Sequence, residues 1–382
     1  MFTRLGFTAF GGPAVHTAMM EDEVVTRRKW LDRGHFLDLV AALNFIPGPN
    51  STELAIHLGL IRAGLPGLLV AGLCFITPAV LIILPLAWAY CAYGTLPAVA
   101  SALAGVNAVV VAIVLVVLVR FGRTALRDPL HWAVAVLAVA ATVALRRWTT
   151  IQPELIVLAA AALVGLVGGT LREIRQAWRF PAVAPLPLAV IADQGLAENL
   201  VRLALFFLKV GGTLFGSGYV LVSYLHSGLV LDYGWLTPRQ LADGISIGQV
   251  TPGPLLTTAT FLGYVVGHTT FAGGVPGGVA GALVATVAIF LPSFVLVALC
   301  APLLQRLRQQ PAARGALDGM NAAVVALIAV TLVDLARVAF TGPWPVAAGV
   351  LAAGALTIWR LNPTWLIAAA ATVGFLASRG LG

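Results

Sequence analysis

Two Pro-Gly-Pro motifs, at residues 47–49 and 252–254, lie inside long apolar stretches. Proline lacks the N–H that a helix interior needs, and its ring collides with the preceding turn, so each motif interrupts a helix. Proline suits the first turn of a helix, where that N–H would have no partner anyway. The motifs therefore predict two breaks, each followed by a new helix whose free N–H groups, near residues 50–53 and 255–258, can hold an anion.

Hydroxyl side chains follow both motifs and add hydrogen-bond donors for an oxyanion. Ser51 and Thr52 follow the first motif, and Thr257 and Thr258 follow the second. A kinked helix without a ligand is the alternative, because transmembrane helices tolerate proline and glycine. The matching positions of the two motifs favour a binding site, since paired broken helices commonly mark the substrate site of a transporter.

A second pair of motifs is rich in glycine: Phe10-Gly11-Gly12-Pro13 and Phe215-Gly216-Ser217-Gly218. Glycine permits positive φ and lets the backbone approach a ligand closely. The alternative is a tight crossing of two helices through small residues. If both pairs of motifs bind the anion, the four helix breaks from the two halves of the chain converge on one site.

Four isolated polar residues lie in apolar surroundings. Lys209 can attract an anion, although its side chain can equally extend to the membrane interface. Asn107 and Asn321 can donate to an oxyanion or bond to a neighbouring helix. Glu53, on the first turn after its motif, complements the helix dipole or couples transport to protons. Asp243 is expected to be structural, as a cap or an ion-pair partner.

The sequence has no zinc-protease motif and no nucleotide-binding motif. There is no H-E-x-x-H and no P-loop, and the six histidines lack metal-ligand spacing, so neither an enzyme nor a cofactor is expected. The expected oxyanion-binding residues are Gly11, Gly12, Pro13, Asn44, Pro47, Gly48, Pro49, Asn50, Ser51, Thr52, Lys209, Gly216, Ser217, Gly218, Gln249, Thr251, Pro252, Gly253, Pro254, Thr257 and Thr258. Glu53, Asn107 and Asn321 are expected to couple transport to an ion or to support the binding site.

The composition is that of a membrane protein with several spans. Of 382 residues, 60% are hydrophobic and only 10% are charged, against about 25% charged in soluble proteins. Residues 64–119 contain no Asp, Glu, Lys, Arg or His, which is room for at least two spanning helices. Arginine-rich cytoplasmic loops explain the net charge of +8, and no dense basic tract suggests nucleic-acid binding. An all-α polytopic fold is predicted.

The chain repeats itself, first at an offset of 205 residues and, after an insertion near residues 268–277, at 214. These matches predict two homologous repeats of about six segments each, over 1–170 and 198–382, joined by a cytoplasmic linker over 171–197. The matched pairs include Gly6 and Gly211, Trp30 and Trp235, Pro47 and Pro252, Pro78 and Pro292, and Asn107 and Asn321.

Arginine placement favours repeats of inverted topology. Three arginines follow the fourth span of repeat one, whereas in repeat two three arginines follow the third span. Because arginine-rich loops stay in the cytoplasm, the corresponding loops lie on opposite sides of the membrane. Arg146 and Arg147 then fall on the unfavoured side.

With these motifs the chain resembles the chromate ion transporter family. The resemblance covers nearly the whole chain and rests on the two glycine motifs, the two Pro-Gly-Pro motifs and the polar elbow 21–33 with Arg28-Lys29-Trp30. It implies a multi-pass carrier of the bacterial inner membrane that exports chromate and confers chromate resistance. It also implies sulfate as a chemical mimic and transport driven by the proton-motive force, and it admits a homodimer.

The sequence therefore predicts a secondary active carrier, an antiporter that works by alternating access. The substrate is expected to be a tetrahedral dianion, chromate first. Positive helix ends do not separate chromate from sulfate, since the two share charge and shape. A transporter of sulfate or another small oxyanion, and a passive anion channel, are the alternatives.

Overall fold

The fold is described by a computed structural model over residues 1–9, 13–146, 153–171, 195–215, 218, 220–359 and 361–380. Within these ranges the chain forms helices and no strands, so the prediction of an all-α polytopic membrane protein is confirmed. Four helical stretches are long and apolar enough to cross a membrane: Asn50–Tyr93, Pro97–Ala125, Gly274–Ala301 and Ala312–Ala339.

Proline opens eight of the fifteen described helices, because a missing N–H costs nothing in a first turn. Short π-helical or 3₁₀ turns join several of them. The helices are α1 (Phe2–Thr8), α2 (Pro13–Glu21), α3 (Arg33–Leu43), α4 (Asn50–Tyr93), α5 (Pro97–Ala125), α6 (Pro129–Leu145), α7 (Pro153–Leu171), α8 (Leu196–Thr213), α9 (Val220–Leu225), α10 (Pro238–Val250), α11 (Thr258–Val265), α12 (Gly274–Gln309), α13 (Pro311–Ala339), α14 (Pro343–Thr357) and α15 (Pro363–Gly380).

The first Pro-Gly-Pro motif is the tip of a hairpin that turns back inside the protein. Helix α3 runs to the motif, and residues 50–62 of α4 run back. The backbone then leaves helical geometry at Ala63 and at Gly64, whose φ is +62°, before α4 continues. Trp30, just before α3, and Arg62, at the end of the returning limb, line one cavity of about 360 Å³. Both limbs therefore end on the same side.

The second motif has the same architecture. Helix α10 runs to the motif, and α11 with the π-helical turn Val266–Thr270 returns. The Thr270 hydroxyl donates to the Trp235 carbonyl at 2.7 Å, which fixes the end of the returning limb beside the start of α10. The following helix, α12, packs against α4, α8 and α11.

Arg146 is neutralised by an acidic partner. The preference of arginine-rich loops for the cytoplasm places this residue on the unfavoured side of the membrane. Its guanidinium donates to Asp334 Oδ2 on α13 at 2.7 Å, and both side chains are mostly buried. The His226 ring lies 3.7 Å from the same carboxylate. Because Asp334 compensates the charge, Arg146 carries little weight in a topology argument based on arginines. Arg147 lies outside the described residues.

The elbow after α2 is organised around one buried carboxylate. Glu23 is 4% exposed and accepts hydrogen bonds from Arg4 of α1 and, at 3.1 Å, from Arg28. The bond from Arg28, with the charges of Arg4 and Arg27, lowers the pKa of Glu23 below its ordinary value despite burial. These contacts attach α1 to the elbow.

Acidification is expected to weaken this attachment. Because the pKa of Glu23 is lower in the folded state, its stabilisation is complete above the unfolded value of about 4.3 and is lost as the pH falls below it. The loss is at most about 1 kcal/mol, since the arginine side chains are exposed. Thermal unfolding measured against pH should show a smaller acid-induced drop in Glu23→Gln; an equal drop in both proteins would contradict the assignment.

Candidate functional site

The two hairpin tips are bonded across the halves of the chain. The Gly48 N–H donates to the Leu214 carbonyl at 2.6 Å, and the Gly253 N–H donates to the Ala9 carbonyl at 3.2 Å. Leu214 and Ala9 end α8 and α1, directly before the glycine motifs. Each Pro-Gly-Pro tip therefore meets the first helix break of the other half.

Both tip glycines need the freedom of glycine. Gly48 has a φ of +144° and Gly253 a φ of +100°, which side-chain-bearing residues rarely adopt. A Cβ on Gly48 would collide with Glu53 Oε1 and would lie 2.7 Å from Ser293 Oγ. A Cβ on Gly253 would lie 2.7 Å from the Ala79 Cβ. The tips are packed too closely for any side chain.

The glycine motifs are only partly described. Gly11, Gly12, Gly216 and Ser217 lie outside the described residues. Pro13 begins α2, and its side chain is not described. Gly218 lies in a turn before α9, where a Cβ would be 3.3 Å from Leu255 of the second hairpin. The expected contribution of these motifs to binding stays a prediction.

At the first tip, the two asparagines bond to each other. The Asn50 amide donates to Asn44 Oδ1 at 2.7 Å, and the Asn44 amide donates to the Ala41 carbonyl. The N–H groups of Thr52 and Glu53 bond back to the Pro49 carbonyl at 2.8 and 3.2 Å. In the described part of the chain, this leaves the N–H groups of residues 50 and 51 as the unused donors of the helix end.

At the second tip, three threonine hydroxyls bond to the local backbone. Thr251, Thr257 and Thr258 each donate to the carbonyl three residues earlier, at 3.2, 2.6 and 2.8 Å. A helix break frees carbonyls, and a nearby hydroxyl satisfies them. These hydroxyls therefore stabilise the break, and their protons are not directed at a ligand. The Gln249 amide nitrogen, by contrast, is buried without a partner among the described residues.

A group of buried polar atoms without partners lies at the first tip. Within the described ranges, neither oxygen of Glu53 has a hydrogen-bond partner, nor do the hydroxyls of Thr52 and Ser293. All three residues are at most 1% exposed. Sequence reasoning missed Ser293. Its signal is a lone hydroxyl beside Pro292 in an apolar helix, at the position that the repeat matches with Ala79.

Asn107 belongs to a buried network away from the tips. Its amide donates to Asp243 Oδ1 at 2.7 Å, and the Tyr90 hydroxyl donates to Asp243 Oδ2 at 2.9 Å. Ser246 donates to the Asn107 oxygen. Asn107 therefore makes the interhelical bond that was the alternative to anion binding. Asp243 has a structural role as expected, but with partners that the sequence did not indicate.

The remaining two candidates lie on other helices. Lys209 is half-buried on α8, and its charge interacts with those of Asp232 and Glu154. The expected role of Lys209 in attracting an anion stays a prediction. Asn321 is half-buried on α13. The structure thus joins each tip to the opposite half and gives Asn107 other partners.

The comparisons with known proteins agree with one another. A family model described as chromate transporter matches residues 1–166 and 201–375. The chromate transport protein of Cupriavidus metallidurans is 31% identical, covering 98% of this chain and 91% of that protein. That of Pseudomonas aeruginosa is 33% identical, covering 98% and 90%, and a probable chromate transport protein of Synechococcus elongatus is 29% identical, covering 88% and 83%. No solved structure matches the chain.

Proposed function

Because the chain belongs to the chromate transporter family, we propose that it is a secondary active carrier that exports chromate across the bacterial inner membrane. The family is one of transporters rather than enzymes, and the helices are those of a multi-pass membrane protein. Export lowers the cytoplasmic concentration of chromate and so confers resistance. The choice of chromate over sulfate comes from the family, since charge and shape do not separate the two anions.

The observation that carries the proposal is the meeting of the two hairpin tips with the helix breaks of the opposite half. Each tip begins a helix, and the positive end of that helix favours a dianion. The unused donors at the first tip are the N–H groups of residues 50 and 51 and the hydroxyls of Thr52 and Ser293. The unpartnered amide of Gln249 on α10 is a donor beside the second tip. We place the oxyanion between these groups.

The same bonds support alternating access. The bonds from Gly48 to Leu214 and from Gly253 to Ala9 both cross between the halves. Rocking one half against the other must therefore change the tips, and with them the side from which the anion is reached. This motion uses the predicted repeats 1–170 and 198–382 and their inverted relation as a premise. The cytoplasmic linker 171–197 and a homodimer stay predictions.

Chromate accumulation in everted membrane vesicles tests the function. Energised vesicles that contain the protein should accumulate chromate at least tenfold above vesicles without it, and an ionophore that collapses the proton-motive force should abolish the accumulation. Excess sulfate should compete if it shares the site. Matched vesicles from cells with an empty vector are the control.

Two results would contradict the proposal. Chromate that equilibrates equally with and without energy would indicate a passive anion channel. Sulfate movement without chromate movement would keep the anion site and overturn the substrate.

A further inference from the structure

The carboxyl group of Glu53 is the least satisfied polar group at the hairpin tips. It lies on the first turn of α4, is fully buried, and neither oxygen has a hydrogen-bond partner in the described part of the chain. Its Oε1 lies against Gly48, where the Ser293 hydroxyl of α12 also points. An unpaired carboxylate costs far more in such surroundings than a helix dipole returns. The buried Glu53 carboxyl is therefore protonated and neutral.

No nearby charge changes this conclusion. The ionisable groups on the elements around Glu53 have partners or positions elsewhere: Arg4 pairs with Glu23, His16 contacts the Ala9 carbonyl, and Asp243 bonds to Asn107 and Tyr90. Within the described residues, burial alone acts on the Glu53 carboxyl. The other ionisable side chains that the structure describes on α2, α3, α4, α10, α11 and α12 are Glu21, Arg33, His35, Asp38, His57, Arg62, Cys74, Cys91, Tyr93, Arg239, Tyr264 and Cys300.

We propose that Glu53 binds one proton together with the oxyanion, so that the protein co-transports protons and chromate in the same direction. The inference rests on the proposed function and identifies the ion whose movement is coupled to that of chromate. A dianion between the tips would repel an ionised Glu53 strongly at this depth. The anion therefore binds when the carboxyl is protonated, and the new O–H can donate to it. The carboxyl loses its proton only when the site opens to water on the far side of the membrane: the anion leaves there, its repulsion of an ionised carboxylate ends, and the hydrated carboxyl releases the proton.

The two halves differ at this position, which sets the number of protons. Thr258 occupies the place of Glu53 in the second half, and its hydroxyl donates to the Leu255 carbonyl. Only the first tip has a group that titrates, so one proton accompanies each dianion. The net charge moved is one negative charge outward, which an inside-negative membrane potential drives. This differs from the antiport that the sequence predicts.

Proton flux in proteoliposomes distinguishes co-transport from exchange. The purified protein is reconstituted with a pH-sensitive dye in the lumen, and chromate is added outside in weakly alkaline buffer, where it is a dianion. Co-transport acidifies the lumen as chromate enters, whereas antiport makes it alkaline. The affinity for chromate should also fall at least tenfold as the pH rises across the titration of Glu53.

Glu53→Gln should uncouple the movement of protons from the movement of chromate. Its amide is permanently uncharged, so the affinity for chromate should no longer depend on pH, and the acidification per chromate should fall at least tenfold. Glu154→Gln is the matched control, because Glu154 is also fully buried but bonds to Ser227 on the π-helical turn after α9. This control should keep the acidification of the unmodified protein. If Glu53→Gln does not fold, the sign of the pH change in the unmodified protein still decides.

Three results would overturn the inference. Chromate uptake with a constant or alkaline lumen would exclude co-transport, and persisting acidification in Glu53→Gln would exclude Glu53 as the proton carrier. In both cases chromate still moves, so the proposed function stands. If neither chromate nor sulfate entered the liposomes, the proposed function itself would fail, and the coupling with it.

Discussion

Gly253→Ala is expected to lower chromate transport at least tenfold while the protein still reaches the membrane. The φ of +100° at this tip costs a residue with a side chain about 1–3 kcal/mol. The new Cβ would also lie 2.7 Å from the Ala79 Cβ, and overpacking of this kind costs about 1–3 kcal/mol. A tip displaced by these forces loses the bond from its N–H to the Ala9 carbonyl. Uptake into everted vesicles, normalised to immunoblotted protein, measures the effect.

Compensating and control substitutions separate the causes of this loss. Ala79→Gly removes the atom that the new Cβ meets, so the double variant should recover part of the transport and keep only the cost of the φ angle. Gly234→Ala tests positive φ alone, since Gly234 has a φ of +61° and open space around it. Gly354→Ala, inside α14 with nothing within 4 Å, should transport like the unmodified protein. Equal transport by Gly253→Ala and Gly354→Ala would show that the tip geometry is dispensable.

The helices were largely predictable, because proline and glycine act locally. The two Pro-Gly-Pro motifs predict breaks, and the structure has new helical segments starting at Asn50 and Leu255. The end of a segment near Arg62 was also predicted, and the backbone leaves helical geometry one residue later. A convergence of the four breaks was expected if both pairs of motifs bind the anion. Their pairing, in which each tip bonds to the opposite half, required the three-dimensional structure.

Side-chain partners were much less predictable, because they depend on neighbours that are distant in sequence. Asn107 bonds to Asp243, and nothing in either segment indicates the other. Ser293 meets Glu53 and Gly48 only because α12 packs against α4. The partners of the Thr257 and Thr258 hydroxyls were predictable locally, because every helix break frees backbone carbonyls that nearby hydroxyls can bond. The interpretation of these hydroxyls as anion ligands passed over that possibility.

Asp243→Leu is expected to destabilise the protein far more than Asp243→Asn. Both carboxylate oxygens accept bonds in a buried site, from Asn107 and Tyr90. Leucine leaves the Asn107 amide without an acceptor, which costs about 1–3 kcal/mol, and a cost of the same size applies to Tyr90 where water does not reach it. Asparagine still accepts from Asn107, and its own amide can donate to the Tyr90 oxygen, since a tyrosine hydroxyl also accepts. Thermal unfolding of the purified variants in detergent measures the difference.

A double substitution shows whether the unsatisfied donor is the cause. In Asp243→Leu with Asn107→Leu, no amide is left without an acceptor, and the Ser246 hydroxyl, which now donates to Asn107, can turn to the carbonyl one helical turn earlier. The double variant should therefore be more stable than Asp243→Leu alone, a departure from additivity that residues in one network show. If the two substitutions instead add, the loss comes from altered packing. The network would then hold α5 and α10 together by shape, and its hydrogen bonds would contribute little.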